Sequence, residues 1–245
     1  MIAYTLVSVF AVSIISLIGL ASLAVTARRL QTMLIYFISF AAGALFGDAF
    51  LHLLPEISKE GLGLMSAGGI LGGISVFFVL EKVIHWRHCH MPLNKEHIHP
   101  FAYVNLIGDG LHNFLDGVII ASSYLVSVPA GIATTIAVAL HEIPQEIGDF
   151  GILVHGGFSR AKALALNFVT ALAAVAGAVI TLWATTFVEQ LELVLVPLAV
   201  GGFLYIAGSD LIPELHKETT PWRSIVQVIA FLAGIGVMAL LLLAG

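Results

Sequence analysis

Eight apolar runs, each about as long as a bilayer is thick, follow one another through this chain with only short polar breaks between them. About twenty apolar residues cross the hydrocarbon core as a helix, and a helix satisfies its own backbone hydrogen bonds there. The runs fall at roughly 2–26, 33–55, 62–84, 101–125, 130–155, 163–187, 193–213 and 222–244. They use up nearly all of the 245 residues. The reading is therefore an all-α membrane protein with eight transmembrane helices, a single transmembrane domain over 1–245 that leaves no room for a soluble one. Composition agrees: 59% of residues are apolar and 10% charged, where a soluble domain carries about 25% charged residues. The first run has no charged start and no small-residue cleavage site, so it reads as a retained helix rather than a signal peptide.

An even number of spans puts both termini on one side, and the loop cations fix which side. Arg28, Arg29, Lys82, Arg87, Lys95, Arg160, Lys162, Lys217 and Arg223 fall in one set of loops, and Lys59 stands alone in the other. Positive loops stay in the cytoplasm, so both termini are expected outside it, in a multi-pass protein of the cell (inner or plasma) membrane. A net charge of −5 excludes a basic nucleic-acid-binding surface. One cysteine excludes an internal disulfide and a Cys-rich zinc module. The 24 glycines lie inside apolar runs and suit close helix packing. Gly68, Gly69, Gly72 and Gly73 read as such a packing face, and so does the Ala/Gly-rich sixth span.

Two spans end alike. Leu53-Leu54-Pro55-Glu56 closes the second and Leu211-Ile212-Pro213-Glu214 the seventh, and the charge count runs these spans in opposite directions. Such a match is the mark of an inverted repeat.

Among the carboxylates inside the apolar runs are Asp48, Asp116, Glu142, Glu146, Asp149 and Asp210. Facing lipid, they would together cost roughly 15–20 kcal/mol on insertion scales, more than the ~5–15 kcal/mol stability of a typical domain. They must face the bundle interior, water or a cation. Span 4 carries Asp109, His112, Asn113 and Asp116 within an arc of about 100°. Span 5 carries His141, Glu142, Gln145, Glu146 and Asp149 within about 140°. His112/Asp116, His141/Gln145 and Glu142/Glu146 are neighbours one turn apart. Pro144 removes a backbone donor and frees the Leu140 carbonyl, which predicts a kink and a further oxygen. Polar glue between helices is the competing reading, but nine such residues at mid-depth on two faces point to a metal. Imidazole with carboxylate and amide oxygen suits a divalent transition metal such as Zn, Fe or Mn, whereas oxygen alone would suit Mg or Ca. Asn167 reads equally well as a helix contact or an accessory ligand.

Outside the spans, His85, His88, His90, His97 and His99 place five of the ten histidines in a cytosolic loop over 85–100, with Cys89 among them. Their irregular spacing fits a loose metal-collecting segment rather than a closed zinc module.

The chain resembles the ZIP (Zrt-/Irt-like) family of divalent metal transporters over nearly its whole length. The matching pieces are Gly47-Asp48 with His52-Leu53-Leu54-Pro55, then Phe77-Phe78 with Glu81-Lys82, then His112-Asn113-Phe114 with Asp116-Gly117. They continue with His141-Glu142-Ile143-Pro144-Gln145-Glu146-Ile147-Gly148-Asp149-Phe150, Gly202-Phe203-Leu204-Tyr205 and Pro213-Glu214. The fifth span is similar to the HEXPHEXGD signature of one branch. That resemblance implies a ZIP-like bundle of eight helices with outside termini, a homodimer, and an elevator-type movement of metal toward the cytosol. It implies a binuclear centre, with His112, Asp116, His141 and position 145 at one site and Asn113 and Glu142 at the other. Gln145 departs from the histidine usual in that branch. Without a large N-terminal ectodomain the chain looks like a minimal prokaryotic form.

The expectation is import of Zn2+, with Fe2+, Mn2+ or Cd2+ as further substrates, and no enzymatic turnover. Asp48 and His52 are candidate entrance residues, Asp210 and Glu214 candidate exit residues, and Glu146, Asp109, Asp149 and Asn167 additional or accessory ligands. Two rival readings are a non-transporting metal sensor and an intramembrane metalloprotease, since His141-Glu142-Ile143-Pro144-Gln145 approaches H-E-x-x-H. The protease lacks its second histidine and has a proline where helical i,i+4 geometry is needed.

Overall fold

A computed structural model describes residues 1–19, 27–59, 61, 63–86, 100–188 and 190–244. Among them every regular element is helical and none is a strand. Helix α1 (Ile2–Ile15) runs into a 3₁₀ turn, Ser16–Ile18. Helix α2 (Ala27–Asp48) passes through a π turn, Ala49–Leu53, into α3 (Leu54–Lys59). Then come α4 (Leu64–Trp86), α5 (Pro100–Val126), α6 (Val128–His155), α7 (Arg160–Ala171) and α8 (Ala173–Ala184). Helix α9 (Glu192–Tyr205) passes through a second π turn, Ile206–Leu211, into α10 (Ile212–Leu215), and α11 (Pro221–Ala244) ends the chain.

Among the described residues five stretches are long and apolar enough to cross a bilayer: Met33–Lys59, Leu64–Lys82, Arg160–Ala184, Leu193–Leu215 and Pro221–Leu243. Exposed Leu71, Phe78, Val79, Trp222, Leu232 and Leu243 give α4 and α11 an apolar outer surface. Water would oppose such a surface and lipid accepts it. The protein is an all-α, multi-pass membrane protein. Helices α5 and α6, with 27 and 28 residues, are no shorter than these stretches. They stand outside that set because they carry the polar faces.

Three pairs of helices cross at reciprocal glycines. A Cβ added to Gly73 of α4 would fall on the Leu198 carbonyl of α9, and one added to Gly201 on the Ile70 carbonyl. Gly43 and Gly234 stand in the same relation between α2 and α11, as do Gly117 and Gly177 between α5 and α8. With no side chain at the crossing, the backbones come into direct contact. The expected packing face on α4 is therefore half right. Gly69 and Gly73 pack against α9, while Gly68 and Gly72 have nothing within 4 Å.

The two like-ended spans share local geometry as well as letters. In each, the π turn closes on an i→i−5 bond just ahead of the proline, Leu54 N–H to Ala49 and Ile212 N–H to Ala207. Pro55 and Pro213 have no N–H to give, which favours this rearrangement. Each span then ends in a 2.5 Å ion pair, Glu56–Lys59 and Glu214–Lys217. Counted back from the prolines, the crossing glycines Gly43 and Gly201 are also equivalent.

The sixth span contains a break that its helix-forming composition gives no reason to expect. At Leu172 the Val175 N–H turns to the Leu172 carbonyl (3.1 Å), which takes it from Ala171. The Ser13 hydroxyl of α1 lies 2.8 Å from that Ala171 carbonyl and 2.9 Å from its own Val9 carbonyl. A freed carbonyl in lipid needs such a donor.

One residue sets the register of the core. Ser127 alone connects α5 to α6, with extended backbone (φ −165°), and its hydroxyl caps α6 by accepting the Ala130 N–H at 3.2 Å. This tight turn makes α5 and α6 antiparallel neighbours. His112 lies fifteen residues before it and His141 fourteen after. At 1.5 Å per residue the two imidazoles come to the same depth.

Candidate metal centre

His112 and His141 present their Nε2 atoms to each other at 3.2 Å. Asp116 Oδ2 lies 3.6 Å from the first and 3.4 Å from the second. Glu142 Oε1 lies 3.4 and 3.3 Å from the same two atoms. All four side chains are buried, and their ligand atoms lie within 4.8 Å of one another.

These separations fit one ion. Bonds of about 2.0–2.1 Å to a tetrahedral zinc place its ligand atoms roughly 3.3–3.4 Å apart. Both oxygens of Asp116 and both of Glu142 are buried with no hydrogen-bond partner among the described residues. Buried carboxylate oxygens normally find a donor or a cation. The centre also holds its imidazoles in place. His141 Nδ1 lies 3.3 Å from the Ala137 carbonyl, one turn back, so a proton there leaves the Nε2 lone pair for metal. The edge of the Phe77 ring packs on His112, with centroids 5.7 Å apart.

The resemblance puts Glu142 in an adjoining site with Asn113 and gives position 145 the fourth place beside the histidines. In the structure Glu142 Oε1 lies beside both histidines. Gln145 lines a cavity of about 200 Å³ that His112 also borders. Asn113 is buried and donates to the Asp109 carboxylate at 2.8 Å, while its own carbonyl oxygen has no hydrogen-bond partner among the described residues. Glu146 accepts a short hydrogen bond from Asn167 of α7, and Thr170 donates one to Asp109. Asp149 accepts the Asn105 amide at 2.9 Å. Helix α6 continues through Pro144 without interruption.

The other candidates are more scattered. Asp48 is fully buried and accepts the Thr134 hydroxyl at 2.6 Å, which ties α2 to α6 seven residues before His141. His52 bonds the Met238 carbonyl of α11 at 2.9 Å. Glu214 is held by Lys217 and does not line the cavity beside His112; Asp210 lies in the second π turn, and its side chain is outside the described ones. Glu81 and Tyr205 line that cavity instead, joined by a short hydrogen bond from the Tyr205 hydroxyl. Sequence reasoning gave neither a role, nor Asn105, although Asn105 shares the 105–109–112–116 face of α5. His85 lies in α4 with an undescribed side chain, and His88, Cys89, His90, His97 and His99 fall outside the described residues.

Comparison with known proteins gives one consistent result. The model of the ZIP zinc transporter family matches residues 2–100 and 92–242. The chain is 38% identical to zinc transporter ZIP13 of Pongo abelii, over 83% of this chain and 65% of that protein. It is 31% identical to zinc transporter zipt-7.2 of Caenorhabditis elegans, over 83% of this chain and 57% of the relative. With ZIP13 of Homo sapiens it shares 33% identity over 87% of this chain and 71% of that protein. The chain thus spans less than two thirds of the first two relatives.

Proposed function

Because the chain belongs to the ZIP zinc transporter family, we propose that it carries divalent transition-metal ions, zinc foremost, through the membrane toward the cytosol. Fe2+, Mn2+ and Cd2+ are the further substrates. The observation that carries this reading is the buried group of His112, Asp116, His141 and Glu142, in which each imidazole nitrogen lies 3.2–3.6 Å from the other and from both carboxylates. Metal is the cargo here, and each ligand replaces part of its hydration shell.

Around that centre we place eight spans, with both termini outside the cytoplasm of a cell membrane. The second and seventh spans belong to inverted repeats, a reading supported by their matching π turns, prolines, ion pairs and crossing glycines. The whole chain 1–245 acts as one transport domain, with the His-rich loop over 85–100 on the cytosolic side, and two copies form a dimer. Asp48 and His52 stand on the entry side, and Asn113, Gln145 and Glu146 adjoin the centre. For the exit, Asp210 and Glu214 stay candidates, and Glu81 and Tyr205 border the cavity at His112.

Uptake of radiolabelled zinc into sealed vesicles containing the purified protein tests this reading. Accumulation above protein-free vesicles is expected. A protein that binds zinc without accumulating it would be a sensor, and the proposal would fall.

A further inference from the structure

The cavity beside His112 lies on the side of the centre away from Ser127, and it is walled in part by Asn105, Asp109, Gln145 and Asp149. Asn105 and Asp149 each stand twenty-two residues from Ser127, on opposite arms of the hairpin, so the same turn that levels the histidines levels this pair. Asp149 is 9% exposed. Its Oδ1 accepts the Asn105 amide at 2.9 Å, whereas Oδ2 is buried with no hydrogen-bond partner among the described residues. Asn105 donates through its amide nitrogen and keeps its carbonyl oxygen as an acceptor, and Gln145 brings another. Asp109 also lines the wall, its two oxygens held by Asn113 and Thr170.

We propose that this cavity is a second cation station, in which Asp149, Asn105 and Gln145 hold a partly hydrated divalent cation after it leaves the four-ligand centre. The inference rests on the transport reading above. Two features set the chemistry. Apart from His112 at its border the polar wall offers oxygen only, which favours harder cations such as Mn2+ relative to the imidazole-bearing centre. The cavity, about 200 Å³, is also roomy enough for an ion that keeps several of its waters. His112 belongs to both places, so an ion passes from one to the other without leaving its reach. Glu81 and Tyr205 also border the next cavity, with Phe78 and Lys82, and so stand between this station and the route onward.

The test is Mn2+ binding to the purified full-length chain in detergent, followed by the spin-resonance signal of free Mn2+. Wild type should bind Mn2+ in two classes. Asp149→Asn should lose the weaker class and keep the tighter one, and His141→Ala should do the reverse. Asn105→Asp adds a second carboxylate and should tighten the weaker class by roughly ten-fold. A merely structural hydrogen bond would give no such gain, and this variant decides the matter if Asp149→Asn fails to fold. A single class in wild type, two unaltered classes in Asp149→Asn, or no tightening in Asn105→Asp would each overturn the station. Zinc uptake by wild-type vesicles is scored separately, so failure of the station leaves the transport reading standing, and absence of uptake removes that reading instead.

Discussion

His112 and His141, on opposite arms of a hairpin turned by the single residue Ser127, meet at 3.2 Å between their Nε2 atoms. Their spacing fits two corners of a zinc tetrahedron, and the buried carboxylates of Asp116 and Glu142 lie within 3.6 Å of both. Replacing either histidine by alanine removes one ligand of four. Removing an outer partner of a metal site typically costs about 10–100-fold in affinity, so losing a ligand itself should exceed that. Zinc titration of His112→Ala and His141→Ala in detergent should show the loss, and uptake at limiting zinc should vanish while membrane insertion persists. Wild-type affinity in either variant would remove that residue from the centre.

The glycine crossings predict a contrast within one helix. Alanine at Gly73 would drive its Cβ into the Leu198 backbone, which cannot move aside as a side chain can. Overpacking of this kind costs about 1–3 kcal/mol. Alanine at Gly72, with nothing within 4 Å, should leave thermal stability in detergent unchanged or slightly raised. Equal melting temperatures for the two variants would deny that α4 and α9 cross at Gly73 and Gly201.

Ser13 gives a smaller, independent prediction. Its hydroxyl serves the Ala171 carbonyl that the break at Leu172 sets free. Hydrogen bonds between membrane helices are worth about 0.6 kcal/mol on average and up to ~1.7. Ser13→Ala should lower stability toward denaturant by an amount in that range. Ser13→Thr, which keeps the hydroxyl, should recover most of it. If both variants unfold alike, the break holds itself open without help from α1.

What could be read ahead of the fold follows from which interactions are local. The face Asp109–His112–Asn113–Asp116 is set by helical spacing alone, so it was legible, and so was the pairing of spans 4 and 5. The partition of ligands was not. Whether Glu142 or Gln145 completes the group with the histidines depends on how far α6 is rotated against α5, and packing decides that. The rotation of α4 against α9 likewise separates Gly69 and Gly73, which pack, from Gly68 and Gly72, which do not. The break in the sixth span hangs on a serine more than 150 residues away. Asn167 was balanced between two roles until Glu146 was found beside it. The signal for Asn105 was present in the i, i+4, i+7 spacing with Asp109 and His112, but an amide stands out less than a carboxylate in an apolar run.

Gln145 is where the chain departs from its signature, and the structure changes what that departure means. With two histidines and two carboxylates already grouped, a neutral side chain at 145 adds an amide on the wall of the cavity beside His112. Amide and carboxylate oxygens suit Mn2+ and the harder ions, and imidazole suits zinc. Gln145→His would add an imidazole one turn from His141, within the zone where an ion leaves the centre. Zinc should then bind more tightly, with the zinc-to-manganese ratio in competitive uptake rising on the order of ten-fold, the lower end of what changes beside a metal site produce. Maximal zinc uptake should stay level or fall, because a carried ion must also be released. Competitive uptake of zinc and manganese by wild type and variant, with bound metal counted in each, measures both effects. An unchanged ratio, with two ions already held firmly by wild type, would mean that residue 145 does not set the choice of metal.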